Sequence, residues 1–429
     1  MEVNILKFGA VGDGVTMNTA AIQSAIAEAA AQGGGRVVVP AGRFLTGSIF
    51  LEDHIELHLE AGAVLVASEN QDDYNDLDAY PQNSTSVREQ WQGKHLILAI
   101  EKTNVAITGL GTICGSGSVF FEPHRRCKTL NYAWVDGFAK AKDPEAMRPG
   151  QMIVFVECRD VTVRDVTLED SPCWTLFLHG CEYVSVSGLR IRNPIWNANT
   201  DGIDIDTCRF VTVSDCIIDT GDDAITLRCS ARKLLHREPV CEHVTITNCV
   251  IGTSAVGIRF GVGAGEIRHI AVSNISIPRA SVGFDLMTAY KNNGDVNISE
   301  VQINNVTAEN VAFPIRFTQE NNNTIRGVII SNYRVEAYCA AIMHADIPGN
   351  ISDVVLKQID ITQRPQRYYQ TLNETAAEER GKAVLDFEGA KELTLENVSL
   401  HVPEALKTEW PQLTSILKCD DLVKRNCNF

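Results

Sequence analysis

One short phrase recurs along most of the chain: an apolar residue at i and at i+2, a polar residue at i+4, then another apolar residue. It reads VTVRDV, VSVSGL, VTVSDC, VTITNC, IAVSNI, VQINNV, VIISNY and VVLKQI, led by Val161, Val184, Val211, Val244, Ile270, Val301, Val328 and Val354, with weaker copies at Val105 and Leu393. The leaders step by 23, 27, 33, 26, 31, 27, 26 and 39 residues. Alternation with a period of two predicts strands, and an irregular repeat of about two dozen residues without helical spacing predicts the stacked coils of a parallel β-solenoid. Propeller blades need about 40 residues, and leucine-rich repeats carry a Leu/Asn consensus that is absent here.

The i+4 position of successive coils is Asp165, Gly188, Asp215, Asn248, Asn274, Asn305, Asn332, Gln358 and Asn397. Amides that tolerate left-handed backbone angles and hydrogen-bond along a column mark a turn between sheets. Sequons at Asn274, Asn305 and Asn397 fall on this column, so they read as structural and not as glycan sites. The 13 cysteines, an odd number, keep the same register. Cys158, Cys181, Cys208 and Cys241 stand three residues before their leader, and Cys216 and Cys249 five after it. Columns of small apolar side chains are core filler, whereas a metal would need converging ligands. Cys419 and Cys427 are the pair to consider for a bridge.

The ends differ from the middle. Residues 18–31, NTAAIQSAIAEAAA, predict a helix with Asn18 as N-cap and Gly33, Gly34 and Gly35 as the stop, placed to cap the first coil. The expected organisation is one domain over residues 1–429: a cap region to about 45, stacked coils over about 96–403, and a tail over 404–429. Stretches near 70–95, 115–150 and 364–382 break the repeat and are placed to wall a cleft on one face.

A formal charge of −16 weighs against a nucleic-acid partner or an anionic membrane. Met1 to Asn4 have no basic or apolar leader character, and no run of about 18 apolar residues occurs. No signal peptide or membrane span is therefore expected, a pattern shared by cytoplasmic and by mature secreted or periplasmic proteins.

After the turn, consecutive coils read NTDGIDID (199–206), GDDAITLR (221–228), AVGIRFG (255–261) and VGFDLM (282–287). If Ile203/Ile205, Ile225/Leu227, Ile258/Phe260 and Phe284/Leu286 point inward, Asp201 stacks on Asp223 with Asp222 beside it. Three crowded carboxylates should raise at least one pKa and supply a proton donor and a proton acceptor, the pair that glycosidic hydrolysis needs. Clustered Asp can also hold calcium or solvate a bend, the role expected of Asp165, Asp204, Asp206, Asp215 and Asp219.

These residues resemble glycoside hydrolase family 28, the polygalacturonase-like pectin hydrolases. The resemblance runs from NILKFGAVGDGVTMNTAAIQSAI through RPGQMIVF, SPCWTL, NTDGID and GDDAI, up to about residue 320. It implies a right-handed parallel β-helix and inverting hydrolysis of an α-linked uronic-acid or related pectic sugar, without cofactor or metal. On the matching positions, Asp222 is implied as general acid, with Asp201 and Asp223 activating the attacking water.

Two departures stand out. Val256 replaces the histidine of the family's Gly-His-Gly, and Asp285 and Met287 replace the Arg and Lys of its Arg-Ile-Lys, which grip a galacturonate carboxylate. A neutral leaving-side sugar is therefore expected, as in rhamnogalacturonan or at a terminal sugar, with Arg228 and Arg259 as substitute cations and Val256 and Met287 as apolar contacts; in register Arg259 also stacks directly on Asp285, and an ion pair between them is its alternative role. Asn199, His179 and Asp285 complete the candidate substrate contacts, with Trp174 as stacking aromatic and Trp196, Trp134 and Tyr290 as further aromatics. Arg316 reads as a solvated or locally paired residue. Ordinary (exo-)polygalacturonase action on homogalacturonan, a pectate-lyase-like eliminase and a non-catalytic β-helical glycan-binding protein remain as alternatives.

Overall fold

The computed structural model describes residues 1–127, 138–230, 233–290, 295–365 and 381–429. Trp134 and most of the 364–382 stretch lie outside the described residues. The fold is a parallel β-helix in which successive coils pair strand on strand. The chain divides into two compact units, one of Met1–Arg126, Ala139–Gly221 and Arg232–Glu238, the other of Cys127–Phe138, Asp222–Ala231 and Pro239–Phe429.

In the first unit the repeat leaders stack as the phrase requires: Val105 on Val161, Val161 on Val184, and Val184 on Val211. In the second the ladder runs Val244, Ile270, Val301, Val328, Val354, Leu393. All are buried, so each coil removes its leading apolar residues from water against the next. The Val105 and Leu393 copies are full members of these ladders.

Cys158, Cys181 and Cys208 stack in the first unit's core, their thiols donating to the carbonyls of Ala99, Phe155 and Leu178 at 3.2 to 3.3 Å. Burial pushes the Cys158 and Cys181 thiols far above the usual range, so they serve as packing groups and not as nucleophiles. Cys419 and Cys427 are separate free thiols, bonded to the carbonyls of Leu417 and Leu395, and form no bridge.

The amide column is left-handed throughout. Asn248, Asn274, Asn305 and Asn332 all have φ between 50° and 56°. Asn274 donates to Asn248 at 3.1 Å, and Asn305 to Asn274 at 2.6 Å. Asn274→Ala keeps the left-handed geometry without the amide and should cost about 1–2 kcal/mol. Asn274→Gly should cost less. A larger drop in melting temperature for the alanine variant than for the glycine variant is the expected result, and equal values for both would refute it.

A second left-handed column went unforeseen. The residue just before each leader is left-handed too, and at four of these positions, Tyr183 and Phe210 in the first unit and His243 and His269 in the second, a large side chain adopts φ between 55° and 58°. Large side chains here mask the usual Gly/Asn turn signal. They stack instead, Tyr183 on Phe210 at 4.9 Å and His243 on His269 at 5.1 Å between ring centroids.

The helix spans Thr19–Ala31 and buries Ile22, Ala25, Ile26 and Ala29. It contacts the strands Glu2–Asn4, Gly35–Val39 and Ile55–Leu59, covering the first coil. Asn18 makes no side-chain cap bond. It is buried, and its amide ties Val11, Thr16 and Leu45 together. Gly33 and Gly34 end the helix with positive φ and donate to the carbonyls of Ala30 and Ala29.

Coils extend beyond residues 96–403 at both ends. Gly35–Val39 pairs with Ile55–Leu59, and Gly42–Thr46 with Ala63–Ala67. In the expected tail, Thr414–Leu417 pairs with Leu385–Glu388, and Val423–Arg425 with Ala390–His401. These coils alternate with period two but lack the Asn-centred phrase. Among the described residues no helix is long and apolar enough to cross a membrane.

Candidate active site

In the first unit, Asp201 closes the turn that leads into the strand Ile203–Asp206. Its carbonyl accepts from the Thr175 amide at 2.8 Å, and its side chain is buried. The preceding Thr200 hydroxyl donates to the Asn197 carbonyl at 2.8 Å and accepts from the Gly221 amide at 3.2 Å. Asn193 donates to the Thr200 carbonyl at 3.1 Å, so the backbone that presents Asp201 is tied at several points.

Arg148, 1% exposed, fixes the turn from the other side. Its guanidinium donates to the carbonyls of Pro172 at 2.6 Å and Glu89 at 2.8 Å, and to Oδ1 of Asn199 at 3.1 Å. It also lies 5.0 Å from the centre of the Phe121 ring. Asn199, expected to touch substrate, has φ 55° and turns its side-chain oxygen onto Arg148. Arg148 was not singled out from sequence, although it opens the RPGQMIVF stretch. Its partners come from separate segments, which no spacing reveals.

Trp174 is packed rather than open. It meets Trp91 edge-on at 5.8 Å and Phe177 at 5.2 Å, in a cluster with Cys173. Trp196 is exposed, at 42%. His179 is buried, stacked on Phe177 at 5.1 Å with Nδ1 3.5 Å from the Asp206 carboxylate, so it is covered by the protein and not open to a cleft as expected. Asp204 and Asp206 are likewise buried in a strand, not solvated at a bend.

The 70–95 stretch covers the outer face of the first unit's coils. Tyr80 packs on Leu98, Val154 and Val156, and its hydroxyl meets His95 at 2.9 Å. Burial lowers the His95 pKa to about 4, which keeps the ring neutral. Gln82 donates to Glu101 at 2.8 Å and to Glu157 at 2.7 Å, and Glu157 accepts the His236 amide at 2.6 Å.

In the second unit, Asp222 and Asp223 precede the strand Ile225–Ser230. The Asp223 amide donates to Asp222 Oδ1 at 3.0 Å. Asp223 takes a two-pronged contact from Arg259, through Nε to Oδ2 and through Nη2 to Oδ1 at 3.1 Å, while the Val256 amide donates to Oδ1 at 3.2 Å. The same guanidinium reaches Asp285 Oδ2 through Nη1 at 2.8 Å. Arg316 closes the far side, with Nε on Asp285 Oδ1 at 3.0 Å and Nη2 on Oδ2 at 2.7 Å. Asp223, Arg259, Asp285 and Arg316 thus form a row of alternating charge that sums to zero.

The crowding of like charge expected from the sequence is therefore answered at Asp223 by a guanidinium. Burial alone would raise the Asp285 pKa, but Arg316 and Arg259 outweigh it and hold the carboxyl below the usual range. With the folded pKa depressed, its contribution to stability is complete above the unfolded value near about 4 and disappears as pH falls through the folded one. Burial likewise opposes the Arg259 charge, and Asp223 and Asp285 overcome it.

Three expected substrate contacts, Arg259, Asp285 and Val256, are corrected here. Arg259 is buried and committed to carboxylates of the protein itself. Asp285 is fully buried between two arginines, so it presents no opposing charge to a ligand. Val256 is buried in a cluster with Val282, Ala312, Phe313 and Tyr338. Met287 is half-buried, with its sulfur 3.1 Å from Arg259 Nη1. Arg228 is half-buried near the end of its strand, and Tyr290 lies 5.6 Å from the Arg259 guanidinium.

The profile of the glycosyl hydrolases family 28 matches residues 35–333. The chain belongs to this family and is a glycoside hydrolase. Among family relatives, the protein named "Probable polygalacturonase" of Vitis vinifera is 26% identical over 399 residues, covering 82% of this chain and 77% of the relative. The exo-poly-alpha-D-galacturonosidase of Dickeya chrysanthemi is 28% identical over 322 residues, covering 67% of this chain and 52% of that protein's length. The fold is that of the exopolygalacturonase from Thermotoga maritima, with a TM-score of 0.68 at 22% identity over 94% of this chain and 92% of that one. The solenoid is accordingly a right-handed parallel β-helix.

Proposed function

We propose that this glycoside hydrolase cleaves pectic poly- or oligosaccharides with inversion, at a linkage whose leaving-side sugar carries no galacturonate carboxylate. Asp222 protonates the departing oxygen. Asp201 and Asp223 hold and deprotonate the attacking water. The row Asp223, Arg259, Asp285, Arg316 carries this reading, because both guanidiniums are engaged by side chains of the protein. A uronate arriving there would have to displace a buried aspartate, whereas a neutral deoxy sugar makes no such demand.

Exo-acting hydrolysis of homogalacturonan is the second reading. The Dickeya relative's name favours it, as does the 70–95 stretch packed over the outer face of the first unit. Purified protein offered homogalacturonan, rhamnogalacturonan oligomers and aryl glycosides distinguishes the two. The first reading expects the highest kcat/KM where the leaving-side sugar is neutral. Faster turnover of homogalacturonan would give the second reading the better claim.

A further inference from the structure

The Asp285 carboxylate occupies a seat shaped for an anion. Its two oxygens receive three guanidinium hydrogen bonds, from Arg259 Nη1 and from Nε and Nη2 of Arg316, and the side chain has no exposure to water. Bidentate guanidinium contact is how proteins recognise a carboxylate brought by a ligand. Here the chain brings its own. Asp285 and Arg316 are direct register partners on adjacent coils, within the strands Val256–Met287 and Val296–Gln319, so the backbone ladder delivers the carboxylate to its seat.

The seat also acts at a distance. A guanidinium is planar and rigid, so fixing Nη1 on Asp285 sets the direction in which Nε and Nη2 point. They point at Asp223. We propose that Asp285 is a built-in surrogate for a ligand carboxylate: it fills the anion seat between Arg259 and Arg316, and through Arg259 it positions Asp223. The proposal rests on the functional reading above for the meaning of Asp223, but the seat itself does not depend on it. Asp285 is a positioning residue here, and it determines specificity by keeping the seat closed to a uronate.

Asp285→Ala empties the seat and leaves two guanidiniums facing a space the size of a carboxylate. The variant should melt at a lower temperature than the parent, and its kcat should fall by roughly 10²-fold, as misplacement of a reacting group does. Sodium formate, whose anion matches the deleted group, should restore both melting temperature and kcat along one saturable curve. Sodium chloride at equal ionic strength should restore neither. Asp285→Asn, which removes the charge without vacating the seat, should show the defect and no formate response. If Asp285→Ala does not accumulate in folded form, recovery of folded protein on refolding with formate, and not with chloride, is the expected result. Wild-type stability and activity in Asp285→Ala, or a defect that formate leaves untouched in both melting and refolding, would overturn the proposal. A parent protein that hydrolyses no pectic oligomer would sink the functional reading alone, because formate-dependent stability still reports on the seat.

Discussion

Asp222→Asn should lower kcat on an oligosaccharide by about 10²–10⁴-fold, the range over which a positioned acid accelerates a proton-dependent step. An amide of nearly the same shape keeps the local bond to the Asp223 amide but cannot give up a proton to the leaving oxygen. Oligosaccharide binding should therefore stay within a few-fold of wild type. The defect should also depend on the leaving group. An aryl glycoside whose phenolate departs without protonation should lose far less rate than a natural glycoside, since the acid matters least where the departing oxygen is least basic. Equal losses on both substrates would remove Asp222 from the role of acid. Unchanged turnover would remove it from catalysis.

Arg148→Met should produce the largest loss of stability outside the core. The substitution removes the buried charge together with its donors and keeps much of the stem's volume. It leaves the Pro172 and Glu89 carbonyls and the Asn199 side-chain oxygen without the donor they have now. Each buried acceptor left unsatisfied costs about 1–3 kcal/mol, and because the three are coupled a total of about 3–5 kcal/mol is expected. Thermal unfolding should begin several degrees lower. Activity at a temperature where the variant is still folded should also fall, because Asn199 and Thr200 lead directly into Asp201. Arg148→Lys, which keeps the charge but not the spread of donors, should recover only part of either property. A variant with wild-type melting temperature would show that the carbonyls find water or other donors and that Arg148 does not brace the turn.

The columns of the solenoid were legible because their signal repeats. Val161, Val184 and Val211 each name the same slot, and the amides at Asn274 and Asn305 name the same turn, so each copy supports the others. The opening coils over 35–67 carry the same alternation but no amide turn, so the repeated phrase does not mark them. NTD followed by GDD pointed to the three aspartates because adjacent carboxylates are costly without a task. Register alone set Arg259 against Asp285, yet it could not say which way the guanidinium would turn, and the turn toward Asp223 changes its meaning from ligand contact to brace. Val256 failed for a related reason. Its register beside Asp223 does not reveal what packs on it, and here Phe313 and Tyr338 from later coils bury it. Arg148 was the least legible, since its role exists only once several distant segments have been folded together.

The stereochemistry of the first-formed product tests the account most directly. Proton NMR of a pectic oligosaccharide during the first minutes of turnover, before mutarotation equilibrates the anomers, reads which face of the sugar the water attacked. The account predicts the inverted anomer, a β reducing end released from an α-linkage. A retained α reducing end would mean a covalent intermediate on one of the aspartates, and would contradict the assignment of Asp222 as acid with Asp201 and Asp223 as the water-activating pair.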